Sequence, residues 1–296
     1  MTKRIVEVAT EGCYLKVRHD QLVIEQEGVE VGSIPIEDMS ALVIDHPQTL
    51  ITQAVLRELV KSNVMVVCSD NKHHPIGLFL PLDSHTTQTE RFAAQVELGL
   101  PTKKNLWKQI VQGKVRGQAR VLHDVTGNDA GISQLVKKVR SGDPNNIEAQ
   151  AARRYWSRLF TSEQFKRDRF AEDQNRYLNY GYAVLRALVS RSLCAAGLHP
   201  SIGIHHKNRY NSYCLADDLM EPYRPLVDIN VWQIVEDHGH ETEMDREIRR
   251  RLIEIIKREV SIDGEKLTFQ GAVQKSAQSL ARIMQGQEKL LSLPEY

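Results

Sequence analysis

Residues 203–228 of this 296-residue chain read GIHHKNRYNSYCLADDLMEPYRPLVD, and within them two adjacent imidazoles, His205 and His206, precede three carboxylates, Asp217, Asp218 and Glu221. Positions three and four apart share a helix face, so Asp217 or Asp218 can point the same way as Glu221. Like charges that close repel, and a divalent cation relieves the repulsion. Mixed imidazole and carboxylate ligation favours Mg2+ or Mn2+, and the absence of a nearby cysteine pair disfavours structural zinc. Pro222 and Pro225 restrict the backbone around Glu221 and remove helix donors, which puts that side chain at a helix start, kink or end. A purely structural reading competes: Asp217 and Asp218 as N-cap and first-turn acids would complement a helix dipole. Each acid alone fits the cap. Together with the histidines, between apolar segments, they fit a site.

Outward from this stretch the chain is helical on both sides. From Thr89 onward ERFAAQVEL, KKNLWKQIVQGKVRGQARVLHDV, GISQLVKKVRS, NIEAQAARRYWSRLF, NRYLNYGYAVLRALVSRSLCAAG, the run 215–237, TEMDREIRRRLIEIIKREV and GAVQKSAQSLARIMQGQEKLL carry apolar residues at three and four spacing. Residues 4–80 differ. RIVEVA, YLKVRH, QLVIEQ, VEVGSIPI, SALVID, VMVVCS and PIGLFLPL are β-branched and partly alternating, Glu27-Gly28 stands where a hairpin turn belongs, and one helix is expected from about Thr52 to Lys61. The expected class is therefore α+β: an N-terminal β-rich, sandwich-like domain (1–83) that holds partners or a second copy, a connector (84–90), and an all-α C-terminal catalytic domain (91–296). His73 and His74, before Pro75, read as loop histidines.

A chain of this length with 41% apolar residues buries a substantial core. Cys13, Cys68, Cys194 and Cys214 are scattered without a CxxC pair, which fits free thiols in a reducing compartment. MTKRIVEVAT lacks a signal-peptide core and no apolar run reaches spanning length, so a soluble cytoplasmic protein with no membrane partner is expected. The net charge of +1 conceals an asymmetry: residues 1–83 hold seven Lys and Arg against twelve Asp and Glu, so the remainder carries +6. Between Pro101 and Arg140 nine basic residues, Lys103, Lys104, Lys108, Lys114, Arg116, Arg120, Lys137, Lys138 and Arg140, face only Asp124 and Asp129. Such a segment neutralises phosphates, although a charge run is also the ordinary signature of a solvated helix face.

A second acid, Glu148, lies near the start of IEAQAARRYW. It reads either as a capping-box glutamate to Asn145 or as a group bordering the core beside a cleft. Asn175, Asn179, Tyr180 and Gly181 place polar and small groups inside the otherwise apolar helix NRYLNYGYAVL.

Taken in order, IEAQAARRYW, NRYLNYGYAVL, LHPSIGIHH and LADDLMEPYRPLVD resemble the CRISPR-associated adaptation integrases, the larger of the two near-universal CRISPR adaptation proteins; PIGLFLPLDSH and the doubled histidine look most like the type II branch. The resemblance spans nearly the whole chain. It implies an N-terminal β-rich and a C-terminal helical domain, with Glu148, His206 and Glu221 as catalytic residues and ligands of Mg2+ or Mn2+. Alignment on Gly203 selects His206, with His205 at a position usually apolar in the family; Asp218 matches a nearby functional acid, so His205 and Asp218 stay as additional site candidates. Ala149 replaces a glycine common after the glutamate. The resemblance further implies a homodimer, two of which flank a dimer of the smaller CRISPR adaptation protein in a 4:2 complex, cooperation with the type II effector nuclease and an accessory ring protein, and double-stranded DNA with 3′ ends and CRISPR repeat DNA as substrates. Lys103, Lys104, Lys108, Lys137, Lys138, Arg153, Arg154 and Arg176 would then hold DNA backbone, and Tyr155, Trp156 and Tyr177 would stack on frayed ends, with core packing the competing expectation for Trp156. Two other functions remain open at this level: a non-catalytic DNA-binding scaffold, and a metal-dependent phosphohydrolase of small nucleotides.

Overall fold

A computed structural model of the chain describes residues 3–70, 75–79, 81, 85–160, 165–168, 171, 173–239 and 243–296. His73, His74, the expected boundary at Asp83 and the first connector residue, Ser84, lie outside the described residues. The chain divides into two units, 1–86 and 87–296.

The first unit holds two four-stranded sheets. One has the order β1 (Arg4–Val8), β5 (Met39–Ile44), β7 (Met65–Ser69), β8 (Pro75–Phe79); the other runs β4 (Val29–Pro35), β3 (Gln21–Gln26), β2 (Cys13–Arg18), β6 (Leu50–Ile51). The antiparallel hairpins follow from local chemistry. Both central residues of each two-residue turn, His19-Asp20 and Glu27-Gly28, have positive φ, the twist that a type I′ turn needs to match its flanking strands. Helix α1 (Gln53–Lys61) is capped by Thr52, whose side chain accepts from the Val55 amide, and it buries Val55 and Leu59. Both sheets and α1 bury one cluster that includes Leu15, Leu22, Met39, Leu42 and Val66. The sandwich-like reading of this half is thus observed.

The second unit is built on two long helices, α3 (Leu100–Thr126) and α5 (Asn175–Ala195). Helix α2 (Gln88–Glu97) begins inside the stretch expected to be a connector. Around these pack α4 (Ile147–Leu159), α6 (Cys214–Met220), α7 (Arg224–His238), α8 (Arg246–Glu254) and α9 (Phe269–Met284). Two expectations are corrected. The segment 131–141 is not an α-helix but a short 3-10 helix, Ser133–Lys138, confined between the Gly131 and Gly142 breaks, both at positive φ. The unit is also not wholly helical: β9 (Glu259–Ile262) and β10 (Glu265–Thr268) form a hairpin about Asp263-Gly264, again a turn with two positive φ values, flanked by Val260 and Ile262. No described helix is long and apolar enough to cross a membrane.

Glycine spacing lets α3 approach its neighbours closely. At Gly113 an added Cβ would lie 3.2 Å from Pro222 Cβ, and at Gly117 it would lie 2.8 Å from Pro225 Cγ and 2.6 Å from Tyr296 Cζ. These two positions, one turn apart, allow α3 to lie directly on the proline-broken junction between α6 and α7, and they deliver the intervening Lys114 to Glu221.

Candidate active site

The loop before α6 is held from two sides. Gln95 on α2 is 1% exposed; its Nε2 donates to the carbonyls of His199 (2.8 Å) and Ile202 (2.9 Å), and its Oε1 accepts from the His199 amide (2.9 Å). At the other end the Leu215 amide donates to the Pro200 carbonyl at 2.7 Å. Between them the chain turns so tightly at Gly203 that a Cβ there would stand 2.4 Å from the His206 carbonyl oxygen and 2.9 Å from Cys214 Cβ. Only glycine permits that approach.

This turn gathers donors onto Asp218. Its Oδ2 accepts from the amides of Ile204 (2.6 Å) and His205 (2.9 Å); its Oδ1 accepts from the His206 amide (3.2 Å) and lies 2.7 Å from His206 Nδ1. The residue is fully buried. Neither an N-cap nor a solvent-facing acid, Asp218 orients the His206 ring, fixing Nδ1 as the donor and leaving Nε2 as the nitrogen that can take a metal. The hydrogen bond to Asp218, against the opposing effect of burial, holds the His206 pKa above its ordinary value. Asp217 is likewise committed, to Arg186 Nε (2.7 Å) and Asn211 Nδ2 (2.7 Å). His205 does not join the acids: its ring lies flat on Trp107, centroids 4.0 Å apart at 2°, with His206 edge-on to the same indole.

The carboxylates of Glu148 and Glu221 meet on one cation. Lys114 Nζ lies 2.6 Å from Glu148 Oε1 and 2.5 Å from Glu221 Oε2, with 12% of its side chain exposed. Glu148 is free to reach it because other groups cap α4. Asp143 accepts from the amides of Ile147 and Glu148, and the side chain of Asn146, in the left-handed region, accepts from the Ala149 amide. The capping-box reading of Glu148 with Asn145 is therefore corrected. Glu221 stands where α6 tightens into a 3-10 turn (Glu221–Tyr223) ahead of Pro222, as the prolines require, and its Oε1 is 2.9 Å from Arg224 Nε. Burial would raise the Glu221 pKa, but Arg224 and Lys114 hold it below the usual carboxylate range. The same pairing works in reverse on Lys114: burial alone would lower its pKa, and Glu221 and Glu148 keep it raised.

Behind the pair, Arg224 Cζ sits 4.5 Å from the centre of the Tyr182 ring, and the Tyr182 hydroxyl donates to Asp228, which is 1% exposed. Burial pushes the Asp228 carboxyl up to about 7. Tyr155 and Tyr177 are both fully buried and unavailable for stacking on DNA ends, a correction that follows from their place on the core stripes of α4 and α5; Trp156 is half-buried against Phe160 and Phe165. Of the basic positions, Lys104, Lys137, Lys138, Arg153 and Arg154 are exposed, and Lys103, Lys108 and Arg176 are half-buried, Arg176 with its guanidinium 5.4 Å from the Tyr177 ring.

As they stand, no three His, Cys, Asp or Glu side chains among the described residues converge closely enough to hold a metal ion. The donor set nevertheless fits one. Two carboxylates already share a cation, and the imidazole beside them, within electrostatic reach of Glu221, presents the nitrogen that Asp218 does not use. Sequence reasoning missed four contributors: Lys114, counted only among nine basic residues; Trp107, which seats both histidines; Arg224, which holds Glu221; and Gln95, which ties the loop. Only the GKVRG spacing at 113–117 hinted at the first.

A family model described as "CRISPR associated protein Cas1" matches residues 6–253. The chain is 36% identical over 288 residues to a CRISPR-associated endonuclease Cas1 of Neisseria meningitidis serogroup C, covering 96% of this chain and 93% of that relative. It is 27% identical over 294 residues to a Cas1 endonuclease of Pyrobaculum aerophilum, covering 94% and 98%. Its fold matches a CAS1 protein from Thermotoga maritima (TM-score 0.76, 18% identity, 99% and 100% covered) and a casposase solved bound to an integration product (TM-score 0.79, 19% identity, 98% and 92% covered). With the family model spanning most of the chain and over a third of its residues shared with a full-length relative, the protein belongs to the CRISPR-associated Cas1 family.

Proposed function

We propose that this protein is a metal-dependent DNA endonuclease and integrase that inserts short DNA fragments into a CRISPR repeat array, with Glu148, His206 and Glu221 as catalytic residues and ligands of Mg2+ or Mn2+. The observation that carries the reading is the meeting of Glu148 and Glu221, 73 positions apart in the chain, on a single cation beside an imidazole whose other nitrogen is committed to Asp218. A ligand set of one imidazole and two carboxylates leaves positions open for a phosphate oxygen and a nucleophile. When bound, the ion polarises a phosphate oxygen and lowers the pKa of the attacking hydroxyl.

The chain's own residues do the rest. Asp218 sets the tautomer and direction of His206, Trp107 seats the histidine pair, and Arg224 keeps Glu221 ionised and aimed. In strand transfer the fragment's 3′ oxygen forms a bond to a repeat phosphorus while the repeat's own 3′ oxygen leaves, so one phosphodiester replaces another; water in the same place gives a nick. Lys103, Lys104, Lys108, Lys137, Lys138, Arg153, Arg154 and Arg176 supply positive charge for the DNA backbone. Names among the relatives support this reading: the Neisseria protein is called an endonuclease, the casposase was solved on an integration product, and another chain of the same fold was solved in a Cas6-RT-Cas1–Cas2 complex. We place this protein in the type II branch, as a homodimer that joins the smaller adaptation protein in a 4:2 assembly and cooperates with the effector nuclease and the accessory ring protein.

The test is joining of a short 3′-hydroxyl duplex to supercoiled repeat DNA with Mn2+. Glu148→Ala and His206→Ala abolish joining while duplex binding by gel shift stays within about twofold, because neither residue belongs to the phosphate-holding set. Joining that persists in both variants identifies the scaffold reading instead, and turnover of free nucleotides identifies a phosphohydrolase.

A further inference from the structure

Lys114 occupies the space between the two acids that the proposed ion requires. Its nitrogen is 2.6 Å from Glu148 Oε1 and 2.5 Å from Glu221 Oε2, whereas an octahedral Mg2+ sits about 2.0–2.1 Å from such oxygens. Ammonium and ion cannot both fill that space. Nor is the lysine there by chance of a surface rotamer: Gly113 and Gly117 bring α3 against Pro222 and Pro225, and the side chain is 12% exposed.

We infer that Lys114 is a built-in counter-cation that holds the Glu148–Glu221 pair together in the metal-free protein and is displaced when a divalent ion binds. The inference rests on the metal reading above. Without the lysine, two facing carboxylates, one of them buried, would repel and splay; with it, the pair is preformed and closed to casual ions. Metal binding is then an exchange of one cation for another. The released ammonium remains tethered on α3 beside the pair, where an incoming DNA phosphate supplies the negative charge it has lost, so metal and DNA favour the same displaced position. Lys114 is in this sense a positioning residue with a threshold attached: it sets how much free metal the site needs.

The experiment is Mn2+ binding by calorimetry to the DNA-free protein, with thermal unfolding in EDTA. Lys114→Met keeps the arm and removes the charge. The variant unfolds at a lower temperature in EDTA yet binds Mn2+ about tenfold more tightly or better, since the ion no longer competes with a charged hydrogen-bond donor. Should Lys114→Met fail to fold, the wild type itself gives the answer: reductive methylation by formaldehyde, read by peptide mass spectrometry, modifies Lys114 slowly in EDTA and several-fold faster with saturating Mn2+. Equal or weaker Mn2+ affinity in the variant, or unchanged Lys114 labelling on adding Mn2+ to a protein that binds it, overturns displacement and leaves the metal reading standing. No Mn2+ binding in either protein overturns both.

Discussion

Asp218→Asn separates a positioning role for this acid from ligation. The carboxylate accepts four hydrogen bonds, from three successive amides and from His206 Nδ1. Asparagine keeps one carbonyl oxygen, which can serve Ile204 and His205; its NH2 then faces the His206 amide and Nδ1. The amide is left without an acceptor, and Nδ1 can accept only if the ring proton moves to Nε2, the nitrogen a metal needs. Losing a charged acceptor and stranding one buried N–H together cost about 3 kcal/mol. For a unit the size of residues 87–296 this lowers the unfolding temperature by roughly 6–12 °C. Loss of an outer partner of a metal-bound histidine typically costs about 10- to 100-fold in metal affinity. The assay is thermal unfolding in EDTA, then Mn2+ calorimetry. Were Asp218 a ligand, removing one of several clustered negative charges would leave the metal-free protein equally or more stable. An Asp218→Asn protein that unfolds in EDTA at or above the wild-type temperature refutes the argument.

Other outcomes follow from the same geometry. Because Asp218 raises the His206 pKa, protons compete with metal to a higher pH than for a free imidazole; Mn2+ affinity rises as pH climbs through that value above 6.5, and His206→Gln flattens the profile in a calorimetric pH series. In the metal-free protein the sign is opposite for stability: the His206 contribution is full below about 6.5 and fades as pH rises through its folded pKa. Asp228 moves from an ordinary 3.8 to about 7, so the native state binds its proton more tightly than the unfolded chain does, and stability falls by up to about 4 kcal/mol as pH rises from 4 to 7; Asp228→Asn removes that slope from unfolding temperatures measured across the range, and an unchanged slope counts against the assignment. Gly203→Ala forces a Cβ to 2.4 Å from a carbonyl oxygen, so the loop must shift; it costs about 1–3 kcal/mol in denaturant unfolding and weakens Mn2+ binding, whereas a variant equal to wild type in both would show the turn to be slack.

Much of this molecule is written in local chemistry. Two-residue turns with room for positive φ, alternation before residue 80 and three-four spacing after it define a β half and a helical half, because strand and helix periods depend only on neighbouring residues. Pro222 and Pro225 mark the break at Glu221 for the same local reason. The hairpin at 259–268 had a legible Asp-Gly turn, yet the helical run before it hid the change of period. The four motifs carried the family and the set of acids and histidines.

What each of those groups does was decided in three dimensions. Asp218 and Glu221 are one turn apart and chemically alike, but Gly203 turns a loop of amides onto the first, while Gly113 and Gly117 bring a lysine from α3 onto the second. His205 and His206 are adjacent, yet the fold lays the first ring flat on Trp107 and turns the second edge-on to it with Nδ1 on Asp218. Tyr155 lies one position from a half-buried tryptophan and is wholly inside. Lys114 and Glu221 are 107 positions apart and Trp107 and His205 are 98 apart, so no short window of sequence contains both partners, and even Gly203 and Asp218, 15 apart in one stretch, meet only because the loop turns back on itself: burial and partner choice come from which faces the helices press together, so a charged residue on a basic helix can end as the cation at the centre of an acidic site.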